Sequence, residues 1–551
     1  MTTIDPFPTQ LGWAAAAGIL THAVYLNRGE HHMHGARYLQ LAFFSWISGI
    51  VLCHGLDLNG SPESWKAATC RSTALHASYI TGIYCSLFAY RLLLNPLNRL
   101  PGPFSTRISA LAFSWMCRNG NAHIQLAHLH SRYGHFVRIN PGAVSVSHLD
   151  AIELVQGATT KCVKGPSYDI TKPLTSLQMT RDKTGHAVRR KVWNPAFSEK
   201  AIRGYDQRIR GYQDRLVSKL AEKEGEPVNV TDWLMWYSFD VMGDMAFGKP
   251  FNMLENSKNH WAIDLSNLGI KPMSLILPMW MFRVFLAIPG LSRHWHAYFD
   301  FCTNRFLERM RNTPEIPDIM SAILAPHKDH PPTVDEMKML VGDAQLIIAA
   351  GSDTSATTLT ASLYYLAKNP DQLDKLRQEL APLWAARPSS ASGIAPEKLA
   401  TLSHMNGVIN EALRLLPSVP THMIRQAPPE GISIAGTYIP GGTDIWMPNY
   451  VLGRDRDNYV DPDKFIPERW YSSPELVKDQ RAFVPFTLGP YSCIGKPLAL
   501  MNIRSVIAKL VCNFDISLAP GEDGSRLEKE ASDHFILGLG PMNMTFKQRN
   551  V

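Results

Sequence analysis

The chain has 551 residues, 45% hydrophobic and 19% charged, with a formal net charge of +7. This composition excludes a disordered protein, and a single short basic run, Arg189-Arg190-Lys191, is too small for a nucleic-acid footprint. The eight cysteines are scattered without framework spacing, which fits a reducing compartment, and no repeat of solenoid length is present.

Three apolar stretches lead the chain. Leu11 to Asn27, Tyr38 to Leu56 and Ser72 to Tyr90 contain no Asp, Glu, Lys or Arg. A hydrocarbon core of ~30 Å needs about 20 helical residues. The stretches therefore predict a membrane anchor over residues 1–94 of one to three transmembrane helices, at about 11–27, 38–56 and 72–94. Buried helices of a globular domain are the alternative, but these segments are apolar on every face and adjacent in sequence. Flanking charges are balanced (Arg28 and Arg37, Lys66 and Arg71, Arg91 and Arg99) and set no orientation. Met1 to Gln10 carries Asp5 and no basic residue, unlike a cleaved signal peptide. Asn59-Gly60-Ser61 is a glycosylation sequon crowded by both neighbouring spans, and His31, His32 and His34 read as a polar link rather than a metal site. Residues 95–103 hold Pro96, Pro101, Gly102 and Pro103, which cannot continue a helix. They predict a stiff hinge before a domain over 104–551.

Within that domain, His186 and Arg190 lie one helical turn apart and share a face. Ser274 to Gly290 is rich in Leu, Met and Phe, as either a core segment or one dipping into a membrane would be. A long apolar helical run starts near Val334 and contains Ala350-Gly351-Ser352-Asp353-Thr354-Ser355, residues that weaken or bend a helix. Glu411 and Arg414 form a pair on one helix face, which if exposed contributes well under ~1 kcal/mol. Further on stands Phe486-Thr487-Leu488-Gly489-Pro490-Tyr491-Ser492-Cys493-Ile494-Gly495, followed by apolar residues at helical spacing. Cys493 thus sits at a helix N-terminus, where free N–H groups and the dipole favour a thiolate. Zinc would need more ligands nearby, and Cys512 is too far along the chain. A buried inert cysteine stays open on local physics alone.

The loop resembles the haem-binding signature of the cytochrome P450 family: Phe, two residues, Gly, three residues, Cys, one residue, Gly. The resemblance implies Cys493 as axial ligand of a haem iron, with its thiolate promoting O–O cleavage. It also implies that Phe486 packs by the sulfur and that Gly489 and Gly495 admit the porphyrin. Tyr491 departs from the pattern, standing where a basic residue commonly meets a haem propionate. Gly351, Asp353 and Thr354 resemble the family's oxygen-activating segment, in which the glycine opens a groove over the iron and the acid–alcohol pair relays protons. Glu411 and Arg414 resemble its buried Glu-x-x-Arg pair, locked by Arg469 of Pro467-Glu468-Arg469-Trp470 and structural in role. His186, Arg190 and Arg425 match propionate-contacting positions. Tyr133-Gly134, Val137-Arg138, Ala196-Phe197-Ser198 and Phe239 to Gly243 match as well, so the resemblance covers about residues 98 to 548.

The family implies a mainly α fold with small antiparallel β-sheets, here preceded by N-terminal transmembrane helices. It implies a monooxygenase that inserts one atom of O₂ into a lipophilic small molecule, in the setting of fungal secondary-metabolite biosynthesis. A haem-thiolate isomerase or dehydrase, and a non-catalytic haem protein, are the alternatives; the retained Asp353–Thr354 pair argues against both. No flavin or dinucleotide segment is present, so electrons come from a separate NADPH-dependent flavoprotein reductase, with cytochrome b5 as a further donor. Arg189 to Lys191 and Lys496 would face its acidic surface. The expected place is the endoplasmic-reticulum membrane with the catalytic domain cytosolic. The substrate pocket draws on about Lys164 to Thr180, Pro417 to Ile424 and a final hairpin near Phe535 to Leu539.

Overall fold

The computed structural model describes residues 7–55, 63–388, 392–421 and 423–549. The sequon at Asn59, residues 1–6 and His422 lie outside them. The chain folds as two compact units.

The first unit comprises Met1–Ser114, Arg138–Ala143 and Leu277–Ser292. Its three long helices are Phe7–Thr21 with a wider turn at His22–Leu26, Gly35–Gly55, and Trp65–Ala89 with a wider turn at Tyr90–Leu94. The first and third run parallel. Ser78 Oγ donates to Leu11 O at 2.7 Å and Tyr79 Oη to Thr21 Oγ1 at 3.0 Å. Their backbones touch at Gly18 and Gly82, where a Cβ would collide with the carbonyls of Tyr79 and Ala15, the close approach that small residues allow between apolar helices. The second runs antiparallel to the third, with Ser72 Oγ donating to Trp46 O and Trp46 Nε1 to Thr73 Oγ1, both at 3.0 Å. Gly35–Gly55 and Trp65–Leu94 are long and apolar enough to cross a membrane. The first helix is shorter, at 15 residues before its wider turn. Helix Met279–Ala287, inside the segment read as either core or membrane-dipping, packs on the second helix: a Cβ on Gly35 would lie 3.0 Å from Trp280 O and 3.3 Å from Val284 Cγ2. The proline-rich segment is fastened rather than free, since Arg138 N donates to Pro101 O at 2.7 Å and Asn95 Nδ2 to Pro141 O at 3.0 Å.

The second unit comprises Trp115–Val137, Val144–Ile276 and Arg293–Val551. Helices dominate it and the sheets are small and antiparallel, as the resemblance implies. Asn543–Gln548 lies between Val228–Asn229 and Phe514–Leu518. Arg425–Gln426 pairs with Asp444–Trp446, and short hairpins form at Ile432–Ile439 and Ser532–Gly538. The central helix, Val334–Lys368, starts at a capping box in which Thr333 and Glu336 bond each other's backbone N–H. From Ser355 to Leu366 every residue is buried, so this helix is the spine on which the others pack. Against it lie Val230–Phe247, Ser403–Leu415 and Lys496–Asn513, the last carrying the segment after Cys493.

The Gly-Ser-Asp-Thr stretch does not break the central helix. Thr354, Thr357, Thr358 and Ser362 each donate a side-chain hydrogen bond, 2.7–2.8 Å long, to the carbonyl four residues earlier. Hydroxyls that would otherwise compete with the helix are thereby absorbed into it.

Candidate functional site

The Cys493 loop closes on itself before the helix Lys496–Asn513 begins. Cys493 N donates to Phe486 O at 2.9 Å, Ser492 N to Gly489 O at 3.1 Å, and Thr487 Oγ1 to Tyr491 O at 3.1 Å. Gly489 has φ +62°, and a Cβ there would lie 2.5 Å from the carbonyl oxygens of both Gln156 and Gly157. Its glycine is therefore demanded by neighbouring protein backbone. At Gly495 a Cβ would meet only Cys493 Sγ and Phe197, each at 3.9 Å, so the space beside the sulfur is open. Cys493 lies in a cleft of about 550 Å³ lined also by Arg190, Phe197, Phe486, Ser492 and Lys496. Burial pushes its thiol pKa up; the backbone N–H groups of Gly495 and Lys496 and the charge of Arg190 pull the other way. A metal cation would complete that shift and hold the sulfur as thiolate. Cys512, by contrast, is buried in its helix, and desolvation holds its thiol up at about 12.

Beside the loop is a nest of cations. His186 is buried, with its ring 4.7 Å from that of Tyr491, and Arg190 Nη1 donates to Ser492 O at 2.6 Å. Arg425 is buried with its guanidinium 4.8 Å from the Tyr491 ring, and its Nη1 donates to Tyr168 Oη and Ile424 O, both at 2.9 Å. Lys164, which sequence reasoning placed only in a substrate loop, joins them: its ammonium lies 4.9 Å from the same ring. Burial and the cations Lys164, Arg190 and Arg425 press the His186 imidazole down to about 3. Two polar atoms here, Tyr491 Oη and Arg425 Nε, are buried without a hydrogen-bond partner. Buried cations and orphaned polar atoms are costly unless something anionic meets them. A metal-bearing cofactor with acidic substituents therefore fits both halves of the site, the sulfur and the nest.

On the central helix, Thr354 and Asp353 are half-buried. Desolvation alone raises the Asp353 carboxyl to about 7, with no counter-charge. Thr354 Oγ1 donates to Ala350 O at 2.7 Å, while Ser418 Oγ donates to Thr354 O at 3.0 Å and ties the helix to the segment after Ser403–Leu415. At Gly351 a Cβ would lie 2.5 Å from Met242 Cε and 2.8 Å from its Sδ, so the Met242 side chain packs over the glycine.

The basic run is also corrected. Arg189 turns inward to the fully buried Asp343, its Nε donating at 2.6 Å, and Trp193 Nε1 and Leu177 N donate to the same carboxylate at 3.1 and 2.8 Å. A buried carboxylate without a cation is expensive, so Arg189 is consumed in the interior. Of the four basic residues expected on that face, Lys191 and Lys496 remain exposed. No sequence signal pairs Arg189 with a residue 154 positions away.

Glu411, Arg414 and Arg469 come together as implied, all with fully buried side chains. Arg414 Nη2 and Arg469 Nε bond Glu411 Oε1 at 2.7 and 2.9 Å, and Trp470 Nε1 donates to Oε2 at 2.9 Å.

With that geometry in hand, comparisons with known proteins are specific. A family model described as Cytochrome P450 matches residues 101–546. The chain is 42% identical to a cytochrome P450 monooxygenase, notG', of Aspergillus versicolor, over 97% of each chain. It is 40% identical to a tryprostatin B 6-hydroxylase of Aspergillus fumigatus, over 99% of this chain and 98% of the relative. It is 36% identical to a cytochrome P450 monooxygenase, lcsK, of Purpureocillium lilacinum, over 98% and 99%.

Proposed function

Because the chain belongs to the cytochrome P450 family and is a haem-thiolate monooxygenase, we propose that Cys493 ligates the haem iron and that Asp353 and Thr354 deliver the protons. The observation that carries the ligand assignment is the thiol at the open cleft, with two backbone N–H groups aimed at its sulfur. His186, Arg190 and Arg425 hold the carboxylates of the macrocycle, and Phe486 and Gly495 border the sulfur. Bound haem supplies the reduction of dioxygen and the transfer of one oxygen atom to the substrate.

The chain's own groups manage the protons. Thr354 Oγ1 donates to Ala350 O, and rotation about its Cα–Cβ bond would free the hydroxyl to donate elsewhere. Asp353, with its carboxyl near 7, holds a proton in a large fraction of molecules at neutral pH and can reload the hydroxyl, the matching of pKa to operating pH that proton transfer favours.

The substrate class is a lipophilic secondary metabolite, and tryprostatin B, named in a 40% relative, is the first compound to try. Electrons come from a partner reductase, an NADPH-dependent flavoprotein by this reading, with cytochrome b5 as a second donor; Lys191 and Lys496 offer it positive charge. The parallel first and third helices with an antiparallel second support a reading of three spans in the endoplasmic-reticulum membrane, by which the N-terminus faces the lumen and the catalytic domain the cytosol.

Two measurements test the assignment. Reduced protein with CO should show the red-shifted Soret band of thiolate-bound haem, lost in Cys493→Ala and kept in Cys512→Ala; a band that survives Cys493→Ala overturns the ligand. With reductase present, Thr354→Ala should form ~10²–10⁴-fold less product while still consuming NADPH and releasing hydrogen peroxide. Product formed without NADPH, equally by parent and variant, would instead mark an isomerase.

A further inference from the structure

The backbone carbonyls of Asp353 and Thr354 are held from outside their own turn of helix. A carbonyl oxygen has two lone pairs, and in a helix one of them accepts the N–H four residues on. Around Thr354 O the remaining capacity goes to hydroxyls: Ser418 Oγ donates at 3.0 Å and Thr358 Oγ1 at 2.8 Å. Those two hydroxyls also meet each other at 3.0 Å. Asp353 O receives Thr357 Oγ1 at 2.8 Å, and the same hydroxyl reaches Leu537 O at 2.9 Å. Leu537 N donates in turn to Ser418 O at 2.9 Å. The bonds thus close a ring through Asp353, Thr357, Leu537, Ser418 and Thr354. Thr357, Thr358, Ser418 and Leu537 are all buried, where low dielectric strengthens such bonds.

The ring joins three parts of the catalytic unit. Ser418 belongs to the segment Pro417 to Ile424 and Leu537 to the hairpin Ser532–Gly538, two stretches read from the sequence as parts of the substrate pocket. Thr421 Oγ1 donates to Asp533 Oδ2 at 2.7 Å, so the segment and the hairpin are bonded to each other a second time. Ser418 is where they meet the backbone of Thr354.

We infer that Ser418 is a positioning residue for proton delivery: its hydroxyl fixes the Thr354 backbone, and its carbonyl ties that backbone to the hairpin. The inference rests on the proton-delivery reading of Asp353 and Thr354 above, and adds a residue that acts through Thr354. Ser418→Ala strands no buried donor, because Thr358 Oγ1 keeps Thr354 O as its acceptor. The variant should therefore fold and bind haem as the parent does.

The test needs no substrate. With one NADPH and one proton, dioxygen leaves as hydrogen peroxide; when its O–O bond breaks, two NADPH and two protons convert it to two waters. Holoenzyme is supplied with reductase, NADPH and O₂, and peroxide released per NADPH oxidised is measured over the CO-sensitive turnover. That ratio reports proton delivery and does not depend on how much of the protein holds haem. Ser418→Ala should shrink the water branch about two- to tenfold, the effect of one neutral hydrogen bond, and so move the ratio toward that of Thr354→Ala. Ser418→Thr keeps the hydroxyl, and Thr358→Val leaves Ser418 on Thr354 O; both should stay nearer the parent. In ferrous protein with bound CO, the C–O stretch should broaden in Ser418→Ala, because a backbone no longer fixed samples more positions. A parental ratio, or a stretch of parental width, in Ser418→Ala overturns the inference. An equal rise of the ratio in Ser418→Ala and Thr358→Val overturns it too, and assigns the effect to loosened packing of the helix. If Thr354→Ala itself keeps the parental ratio, the proton-delivery reading has failed, a result visible before any Ser418 variant is made.

Discussion

Two buried clusters of charge in the catalytic unit look alike in composition and differ in completeness. Around Glu411 the single carboxylate is shared by Arg414 and Arg469, and backbone or indole N–H groups from Ile466 and Trp470 complete its shell. The spare guanidinium donors of Arg469 end on the carbonyls of Val460, Leu476 and Asp461. Around Tyr491 the cationic side chains are Lys164, Arg190 and Arg425, with no carboxylate among the described residues bonded to any of them and with orphaned polar atoms among them. The first cluster is satisfied by the polypeptide. The second is satisfied only by something else. Completeness, rather than the presence of buried charge, distinguishes a structural network from a ligand site.

The sharpest way to break this contrast is to delete one arginine from each cluster. Arg469→Met should cost ~3–5 kcal/mol of stability, because it strands Glu411 in the interior. That loss should appear in denaturant melts of haem-free and haem-loaded protein alike. Arg425→Met should leave the haem-free protein as stable as the parent or more so, since it removes a buried cation whose Nε has no partner. Its cost should fall on haem binding, weaker by about ten- to a hundredfold for one charge-assisted hydrogen bond of ~1.5–3 kcal/mol. Equal destabilisation of haem-free protein by both variants would erase the distinction.

The two clusters were not equally legible in the sequence. Glu411, Arg414 and Arg469 sit in short motifs with fixed spacing, and so do Phe486, Gly489, Cys493 and Gly495. The long central helix is announced by its apolar run from near Val334. Lys164 carries no such signal: the sequence places it only in the substrate loop of about Lys164 to Thr180. Its burial depends on Leu177 and Gln178, brought round by the loop. Arg189 was legible as charge and misread as surface, because Asp343 lies on an element distant in sequence. Gly489 was identified as a glycine that matters, while the Gln156–Gly157 backbone that requires it is brought beside it only in three dimensions.

The half-buried Asp353 extends the comparison, because among the described residues no counter-ion offsets its desolvation. Its carboxyl is raised to about 7 in the folded protein by desolvation, above the ordinary carboxylate value of ~3.9 expected when unfolded. The folded state then binds more protons than the unfolded one between those two values, so this group makes stability fall as pH rises from about 4 to about 7. Asp353→Asn removes the titration. Its melting temperature relative to the parent should therefore be higher at pH 8 than at pH 5, and parallel pH profiles for the two proteins would refute the raised pKa. In turnover the sign is the same for the parent: product formed per NADPH should decline as pH passes through about 7 and Asp353 loses its proton.

The smallest expected effect is the most discriminating, because it changes sign with the ligand. Tyr491 Oη is buried and bonds to no protein atom. In haem-free protein, Tyr491→Phe removes an unsatisfied hydroxyl while keeping the ring that Lys164, Arg425 and His186 pack against. Apolar replacement of an unpaired polar group is neutral or stabilising, so the melting temperature should hold or rise slightly. In haem-loaded protein the hydroxyl gains an acceptor, and losing it should weaken haem retention by a factor of a few, corresponding to ~0.5–1.5 kcal/mol for a neutral hydrogen bond. A purely structural role for Tyr491 predicts the same sign in both states. Opposite signs mean that the hydroxyl is held in reserve for the cofactor, as the unpaired arginine nitrogen beside it is.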